Sequence, residues 1–384
     1  MPRKLLALVM ALLCLAAPAR AALEEAPPIK LDCAGVLLME PESGQVIFEV
    51  DADAPRPIAS VTKIMAILLA CEAVEEGRAQ LDDVVNISAR AASMGGSQVL
   101  LDTGEQQPLS ALIKSMIVAS ANDATVAVGE FLFGSEQSMV ARMNERAREL
   151  GLQNTRFANA TGLPVQDHYA SARDVALMSR ELIKHPIYFE YATIWMDTLT
   201  HGDGRVTELT NTNRLTRLYD GCDGLKTGST NEAGYCMAAT AKRAGMRLIA
   251  VVLGAKTSKA RFETATAMLD YGFANYRTYE VAQKGAKVRG VMPVTGGSLD
   301  SVGLTLGEDM TLLIAKGAEQ DIELTSNLPG HIPAPVAPGQ QVGTVDVALA
   351  GRLVGQIPIV ASAEVPERSY ASALRRAIGR WYYD

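Results

Sequence analysis

The run from Ser60 to Lys63 (Ser-Val-Thr-Lys) constrains the fold of this chain more than any other stretch. It follows the turn-forming residues 55–57 and opens the apolar stretch 64–70, a pattern typical of a helix N-terminus. Because residues three apart on a helix share a face, the Ser60 hydroxyl and the Lys63 amine are expected to meet. A neutral lysine can take the proton of a nucleophilic serine, and burial or nearby positive charge keeps a lysine neutral.

The charge balance of this chain of 384 residues indicates which classes of binding partner are disfavoured. Its 48% apolar and 21% charged residues are typical of a globular protein, and the length allows two domains. The first 21 residues hold three basic and no acidic side chains. Without them, 33 Lys and Arg face 43 Asp and Glu, a net charge of −10. This acidic balance argues against nucleic acid as a partner.

The N-terminus predicts export. Arg3 and Lys4 precede the apolar stretch 5–17, and residues 19–21 (Ala-Arg-Ala) fit a small-x-small cleavage site. The stretch is too short to span a membrane, and no later run reaches about 18 apolar residues. We therefore predict a signal peptide over residues 1–21 and a mature protein that acts outside the cytoplasm, in the cell envelope.

The order of predicted elements indicates an α+β domain with a largely antiparallel sheet over residues 30–279. Strands are predicted at Gly35–Met39 and Val46–Val50, followed by a series of helices, and later strands pair as a hairpin at 235–241 and 247–253. The helices after the Ser60 helix are predicted at 109–119, 124–133, 136–150, 172–184 and 259–276.

The C-terminal part predicts a second unit and a tail. Residues 280–366 are rich in Gly, Val, Thr and Pro with short alternating runs, which indicates a separate small β-sandwich-like domain. Residues 367–384 form an amphipathic tail with apolar, arginine and terminal aromatic residues at helical spacing. This pattern favours weak peripheral contact of residues 370–384 with the outer face of the cytoplasmic membrane. An ordinary solvated or partner-packed terminal helix is the alternative.

Four cysteines remain in the predicted mature chain, namely Cys33, Cys71, Cys222 and Cys236. An even count in an exported protein permits disulfides. The spacings suggest no disulfide framework, and Cys71 and Cys236 lie in apolar runs. Buried free thiols are the favoured interpretation, with disulfides left open.

Two later motifs give the serine–lysine pair its chemical context. Ser120 and Asn122 interrupt a helical pattern, where a hydroxyl and an amide can face outward, although a plain polar helix joint would carry the same residues. Lys226, Thr227 and Gly228 end a predicted strand, where the glycine would let a substrate backbone approach closely and a simple turn is the alternative.

The motifs Ser-x-x-Lys, Ser-x-Asn and Lys-Thr-Gly, in this order, are those of class A β-lactamases and penicillin-binding proteins. The chain resembles the low-molecular-mass penicillin-binding proteins, the D-alanyl-D-alanine carboxypeptidases, over nearly all of its mature length. Residues 171–174 (Ser-Ala-Arg-Asp), 233–235 (Ala-Gly-Tyr) and 259–261 (Lys-Ala-Arg) add to the match. The resemblance implies a β-lactamase/transpeptidase-like α+β domain, then a small all-β domain and an amphipathic C-terminal helix.

The resemblance also implies a serine-type D-Ala-D-Ala carboxypeptidase that needs no cofactor and no metal. Ser60 would attack the carbonyl between the last two D-alanines of a peptidoglycan stem peptide, with Lys63 as its base. Ser120 and Asn122 would position the substrate amide and relay protons, and Lys226 would support the charge around Ser120.

The remaining implied roles concern substrate binding. The backbone N–H groups of Ser60 and Ser229 would form the oxyanion hole. Thr227, beside Gly228, and Arg261 would hold the terminal carboxylate, although Arg261 by itself is typical of a solvated helix residue. β-Lactams would be inhibitors that acylate the same serine.

Two other functions compete with the carboxypeptidase. A β-lactamase needs fast deacylation, and residues 154–164, the candidate loop for this role, carry no glutamate. A non-catalytic wall-binding protein of the same fold is disfavoured because all three motifs are present. A histidine-based hydrolase is disfavoured as well, because Gly-x-Ser-x-Gly is absent and His168 beside Asp167 is typical of a surface pair.

Overall fold

The computed structural model describes residues 29–370, which divide into two compact units. The first unit comprises residues 29–281 and 311–317, and the second comprises 282–310 and 318–370. The predicted signal peptide (1–21) and residues 371–384 of the predicted tail lie outside the described residues. Within the described ranges, no helix is both long enough and apolar enough to cross a bilayer.

A five-stranded antiparallel sheet forms the centre of the first unit, in the order β2-β1-β9-β8-β7. The N-terminal strands therefore share a sheet with the later ones, as predicted. Three further pairs form two-stranded sheets, namely β3 with β4, β5 with β6, and β10 with β13 (Met310–Ala315). The strands of this unit are β1 (Gly35–Met39), β2 (Val46–Val50), β3 (Val84–Asn86), β4 (Gln106–Pro108), β5 (Met196–Thr200), β6 (Val206–Thr210), β7 (Cys222–Thr230), β8 (Gly234–Arg243), β9 (Met246–Ala255) and β10 (Tyr276–Ala282).

Six of the nine described α-helices of the first unit follow the predicted ones to within a few residues at their ends, whereas the short ones at Ala89–Ala92, Pro186–Ala192 and Leu215–Leu218 were not predicted. A 3₁₀ turn at Ala59–Thr62 precedes the first helix. The α-helices are α1 (Lys63–Glu75), α2 (Ala89–Ala92), α3 (Leu109–Val118), α4 (Asn122–Phe133), α5 (Glu136–Glu149), α6 (Ala172–Leu182), α7 (Pro186–Ala192), α8 (Leu215–Leu218) and α9 (Ser258–Asn275).

Both faces of the central sheet are buried, which explains why its strands are apolar throughout. Leu37 and Met39 of β1 belong to the core cluster that contains α1, whereas Val36 and Leu38 belong to the cluster that contains Met268 of α9. Successive strand residues point to opposite faces, so the sheet forms the middle layer between α9 and the larger group of helices. Helix α1 is buried almost all round, which matches its uniformly apolar sequence.

Besides residues 78–108, where β3, α2 and β4 were not predicted, the region between α6 and β7 is where the sequence prediction was incomplete. It contains α7, the β5–β6 hairpin and α8. Each strand of the hairpin buries a single residue, Leu199 or Leu209, so the alternation that signals a strand is too weak to detect.

The second unit is all-β, as predicted. Its six-stranded sheet has the order β14-β16-β17-β12-β11-β15, and the predicted strands at 342–349 and 353–359 are the β16–β17 pair. The strands of this unit are β11 (Lys287–Thr295), β12 (Ser301–Leu306), β14 (Ile322–Asn327), β15 (Ile332–Pro333), β16 (Gln341–Leu349) and β17 (Arg352–Ala361).

Candidate active site

Ser60 and Lys63 meet as the sequence predicts, although Ser60 lies in the 3₁₀ turn just before α1 rather than in its first turn. The Lys63 Nζ atom is 3.0 Å from Ser60 Oγ. Lys63 is fully buried, whereas Ser60 is partly exposed. The hydroxyl therefore faces solvent and the amine lies beneath it, which is the arrangement that a nucleophile and its base require.

Three acceptors surround the Lys63 amine. Besides Ser60 Oγ, its Nζ atom lies 2.6 Å from Asn122 Oδ1 and 2.8 Å from the backbone oxygen of Thr161. Those two oxygens can only accept hydrogen bonds. A neutral amine has two N–H bonds and one lone pair, so the two oxygens occupy both hydrogens and leave the lone pair for the Ser60 hydroxyl.

The surroundings of Lys63 favour its neutral form. Burial lowers the pKa of Lys63 well below its ordinary value, and the positive charge of Lys226 lowers this pKa further. The carboxylate of Asp123 acts in the opposite direction. Asp123 is fully buried and accepts hydrogen bonds from the backbone N–H groups of Val99 and Leu101, which disperse its charge.

Ser120 and Asn122 lie at the joint between α3 and α4. Ser120 adopts a left-handed backbone conformation (φ 61°), which is uncommon for a residue with a side chain, and this turns the chain between the two helices. Asn122 is held on both sides, because its backbone N–H donates to Ser97 O (2.7 Å) and its Nδ2 donates to Gly95 O (2.6 Å). Its Oδ1 is thereby fixed towards Lys63.

Strand β7 continues to Thr230 and does not end at Gly228, contrary to the prediction. Gly228 also has a packing role that the sequence did not predict. A Cβ atom on this residue would lie 2.7 Å from Ser60 N and 2.9 Å from Ile58 O. The missing side chain therefore allows β7 to lie against the 3₁₀ turn that carries the nucleophile.

Lys226 and Arg261 are both buried cations. Burial is the main cause that lowers the pKa of Lys226 to about 7, and the charge of Arg261 adds to it. Arg261 is 7% exposed, so its interpretation as a solvated helix residue is wrong. Its Nη1 donates to Gly228 O (3.2 Å) and Cys236 O (3.3 Å), and its Nε is buried without a partner among the described residues. Burial lowers the pKa of Arg261 to about 10.

A cavity of about 750 Å³ opens above these groups. Six of the nine sequence-predicted residues line it, namely Ser60, Ser120, Thr227, Gly228, Ser229 and Arg261. Lys63, Asn122 and Lys226 do not line it and are buried. No Asp or Glu of the described chain lines the cavity, so its wall is cationic on an acidic protein.

Sequence reasoning missed several residues at this site. Trp195, Arg214 and Arg217 line the cavity, and all three belong to the region between α6 and β7 that gave a weak pattern. The contact from Thr161 was missed because a backbone carbonyl has no side-chain signature. Asn159 and Gly162 were available signals, since Asn159 Oδ1 accepts from the Gly162 N–H (2.7 Å) and shapes this turn.

His168 is buried, so its interpretation as part of a surface pair is wrong. Its Nε2 lies 2.7 Å from Thr62 Oγ1, and its Nδ1 accepts from the Ala158 N–H (3.0 Å). Polar neighbours on both sides in the sequence hid this burial.

The four cysteines of the described chain are free, and Cys71, Cys222 and Cys236 are buried. This agrees with the favoured interpretation from the sequence. Burial raises the pKa of Cys222 and of Cys236 to about 11, so these thiols stay protonated and unreactive at neutral pH.

One group of possible metal ligands occurs within residues 29–370, away from the residues that line the cavity. Atoms of Glu72, Glu181 and His185 lie within 4.8 Å of one another. The guanidinium of Arg146 is already 2.7 Å from Glu72 Oε1 and 3.3 Å from Glu181 Oε1. Lys184 Nζ is also 2.6 Å from Glu181 Oε2, so both carboxylates are already paired with basic side chains and the group is an ion-pair network.

Two family models match the chain. Residues 21–257 match the family described as D-alanyl-D-alanine carboxypeptidase, and residues 276–367 match the C-terminal domain of penicillin-binding protein 5. The chain is 38% identical to the D-alanyl-D-alanine carboxypeptidase DacF of Bacillus subtilis over 346 residues, 90% of this chain and 89% of that protein. It is 33% identical to DacA of Escherichia coli over 351 residues, 89% and 85% of the two chains.

The fold has solved counterparts. The structure of penicillin-binding protein 5 from Haemophilus influenzae superposes with a TM-score of 0.79 at 30% identity, and covers 89% of this chain and 100% of that one. Penicillin-binding protein 6B from Escherichia coli gives a TM-score of 0.72 at 27% identity, over 88% and 97%. These matches extend over both units of the described chain.

Proposed function

Because the chain belongs to the D-alanyl-D-alanine carboxypeptidase family of serine hydrolases, we propose that it removes the terminal D-alanine of peptidoglycan stem peptides through an acyl-enzyme on Ser60. One observation carries the assignment of the nucleophile. Lys63 is fully buried, has a lowered pKa, and places its amine 3.0 Å from the Ser60 hydroxyl. A buried lysine in this state is a base, not a surface charge.

The first chemical step follows from the contacts of Lys63. With Asn122 Oδ1 and Thr161 O holding its two hydrogens, the lone pair of the neutral amine accepts the Ser60 proton. Ser60 Oγ then forms a bond to the carbonyl carbon of the penultimate D-alanine. The negative charge that develops on the carbonyl oxygen is stabilised by the backbone N–H groups of Ser60 and Ser229, both of which line the cavity.

The substrate carboxylate is assigned to Thr227 and Arg261. Both line the cavity beside Ser60, and the Arg261 guanidinium is fixed by backbone carbonyls of β7 and β8. A pre-oriented arginine pairs strongly with a carboxylate. Arg214 and Arg217 add positive charge to the same wall. This preference for a free C-terminus favours removal of a terminal residue over cleavage within a chain.

The step ends when the amine of D-alanine leaves with a proton. Ser120 lines the cavity and lies two residues from Asn122, so we assign it the relay that carries the proton from Lys63 to the leaving nitrogen. Lys226 supports this relay because its positive charge lowers the pKa of Lys63 and so favours release of the proton from the Lys63 amine. Water then hydrolyses the Ser60 ester and restores the hydroxyl.

The location of the protein is part of the proposal. The basic and apolar leader over residues 1–21 supports export, and the arginine-rich apolar tail over 370–384 supports peripheral contact with the outer face of the cytoplasmic membrane. Peptidoglycan and β-lactams are the ligands of the penicillin-binding family to which the chain belongs. The acidic net charge argues against binding of nucleic acid.

A Ser60→Ala variant tests the proposed nucleophile. The change removes one oxygen, so the fold and melting temperature are expected to stay as in the wild type, while D-alanine release from a D-Ala-D-Ala tripeptide is lost. Ser138→Ala on the exposed side of α5 is the matched control and should keep full activity. Turnover by the Ser60→Ala variant would remove Ser60 from its assigned role.

A benzylpenicillin assay separates this function from that of a β-lactamase. The 154–164 loop contributes the carbonyl of Thr161 to the site and contains no glutamate that could activate a deacylating water. We therefore expect one equivalent of penicillin to bind and to be released slowly. Rapid multiple-turnover hydrolysis would instead assign a β-lactamase.

A further inference from the structure

The segment that supplies the Thr161 carbonyl lies directly against the turn that carries the nucleophile. A Cβ atom on Gly162 would lie only 1.9 Å from Ala59 O and 2.9 Å from Ser60 N. Gly162 also has a left-handed conformation (φ 82°), which glycine adopts without strain. Small shifts of this segment therefore change the position of Thr161 O relative to Lys63.

His168 bridges this segment and the turn. The two antiparallel stretches around Arg156 and Tyr169 pair through backbone hydrogen bonds (2.9 and 3.0 Å), so His168 lies beside the base of the loop that carries Thr161. Its ring reaches Thr62, the neighbour of Lys63, at 2.7 Å. The imidazole thus connects the loop to the residue that precedes the proposed base.

The hydrogen bonds of the ring define its tautomer. The Ala158 N–H can only donate, so His168 Nδ1 must carry the lone pair that accepts it. In the neutral ring the proton is therefore on Nε2, which donates to Thr62 Oγ1. Burial lowers the pKa of His168 to about 4, so this neutral form prevails near neutral pH. The edge of the ring also packs on Phe157, with centroids 6.0 Å apart.

We propose that His168 is a positioning residue for acylation, which acts by tying the Thr161 loop to Thr62 and so holds the Thr161 carbonyl against the Lys63 amine. The inference rests on the proposed function, because it concerns the base of that reaction. His168 does not line the cavity, and the groups assigned to the substrate carboxylate belong to β7 and α9. Its loss should therefore lower the rate of acylation and leave substrate binding nearly unchanged.

Two substitutions separate the contacts of the ring. In His168→Gln the terminal amide nitrogen can take the place of Nε2 and still donate to Thr62. In His168→Asn the amide oxygen can take the place of Nδ1 and still accept from Ala158, but nothing reaches Thr62. Both variants replace an aromatic ring by a small amide, so the cost in packing is similar. Thr62→Val and Thr62→Ser form a second pair, which removes or keeps the hydroxyl at nearly constant size.

The assay measures kcat and KM for D-alanine release, the acylation rate with a fluorescent penicillin, and the melting temperature of each variant. We expect His168→Asn and Thr62→Val to lower kcat and acylation about 10- to 100-fold, because a displacement of about 1 Å near a reacting group costs this much. KM should stay within about threefold. His168→Gln and Thr62→Ser should stay near the wild type, and the double variant His168→Asn/Thr62→Val should be no slower than either single variant.

Each result supports or overturns the inference. If the Asn and Gln variants are equally active, or lose activity only in proportion to their melting temperatures, His168 is a structural residue alone. A change in KM without a change in kcat would likewise overturn the inference, because it would mean that His168 does not act on the acylation step. Failure of the proposed function is distinguishable, because the wild type itself would then release no D-alanine and carry no penicillin on Ser60.

Discussion

Replacing Gly228 by alanine should disable the site by moving the nucleophile. Gly228 lies two residues before the end of β7, and its absent side chain faces backbone atoms of the 3₁₀ turn and of the residue before it rather than flexible side chains. A Cβ atom would be 2.7 Å from Ser60 N, 2.9 Å from Ile58 O and 2.9 Å from Val61 N. None of these atoms can rotate away, so either the strand or the turn must shift.

The size of the shift follows from the same distances. Bringing the Ser60 N contact to the 3.4 Å of an ordinary van der Waals contact requires about 0.7 Å of movement. Overpacking of this kind costs about 1–3 kcal/mol of stability. The atom that moves is the proposed oxyanion donor, and losing one such donor lowers kcat about 100- to 1,000-fold. We therefore expect acylation by penicillin to fall about 100-fold or more in Gly228→Ala.

The assay is the second-order rate of labelling by a fluorescent penicillin, with the melting temperature measured in parallel. Gly202→Ala is the matched control, because a Cβ atom there would meet nothing within 4 Å and its φ is not left-handed. The control should acylate like the wild type. Wild-type acylation by a folded Gly228→Ala variant would refute the close packing of β7 on the Ser60 turn.

Two further predictions concern pH. Lys226→Gln removes a positive charge that lowers the pKa of Lys63, so that pKa should rise and the acidic limb of the acylation-rate profile should move to higher pH; a limb that stays in place or moves to lower pH would contradict this coupling. Burial lowers the pKa of His168 from its ordinary value of 6.5 to about 4 in the folded state, so the unfolded chain binds the extra proton first as the pH falls. The neutral, buried His168 therefore contributes to the free energy of unfolding fully above about pH 6.5, and this contribution is lost as the pH falls towards 4. The loss is at most about 3 kcal/mol. Urea unfolding at pH 7 and pH 5 should show the loss in the wild type and a smaller loss in His168→Gln, and equal losses would contradict it.

The parts of the fold that could be predicted are those with strong local patterns. The β1–β2 pair and the β8–β9 hairpin have apolar runs bounded by turn residues, and α6 has Ser171 at its N-cap, whose hydroxyl accepts from the Asp174 N–H (3.1 Å). The hairpin of β5 and β6 buries one residue in each strand, so its stability comes from tertiary contacts that no local pattern records.

The candidate site divides in the same way. Ser60 and Lys63 could be paired from helical spacing alone, and the structure adds Asn122 to the same amine. The Thr161 carbonyl could not be predicted, because any residue offers one, and its position depends on the contact of Gly162 with Ala59.

The left-handed backbone of Ser120 explains why the helical pattern is interrupted at this position. A serine does not predict this conformation, so the sequence could not show it. The direction of the Gly228 Cα–H bond likewise depends on how β7 lies on the turn, which is a property of the tertiary fold.

Mass spectrometry of the intact protein after incubation with benzylpenicillin, followed by peptide mapping, tests the central claim most directly. A single adduct of the mass of one penicillin on Ser60, absent in Ser60→Ala and slowed in Lys63→Met, is the predicted result. An adduct on another residue, or no adduct on a folded and pure protein, would contradict the assignment of Ser60 as the nucleophile and Lys63 as its base.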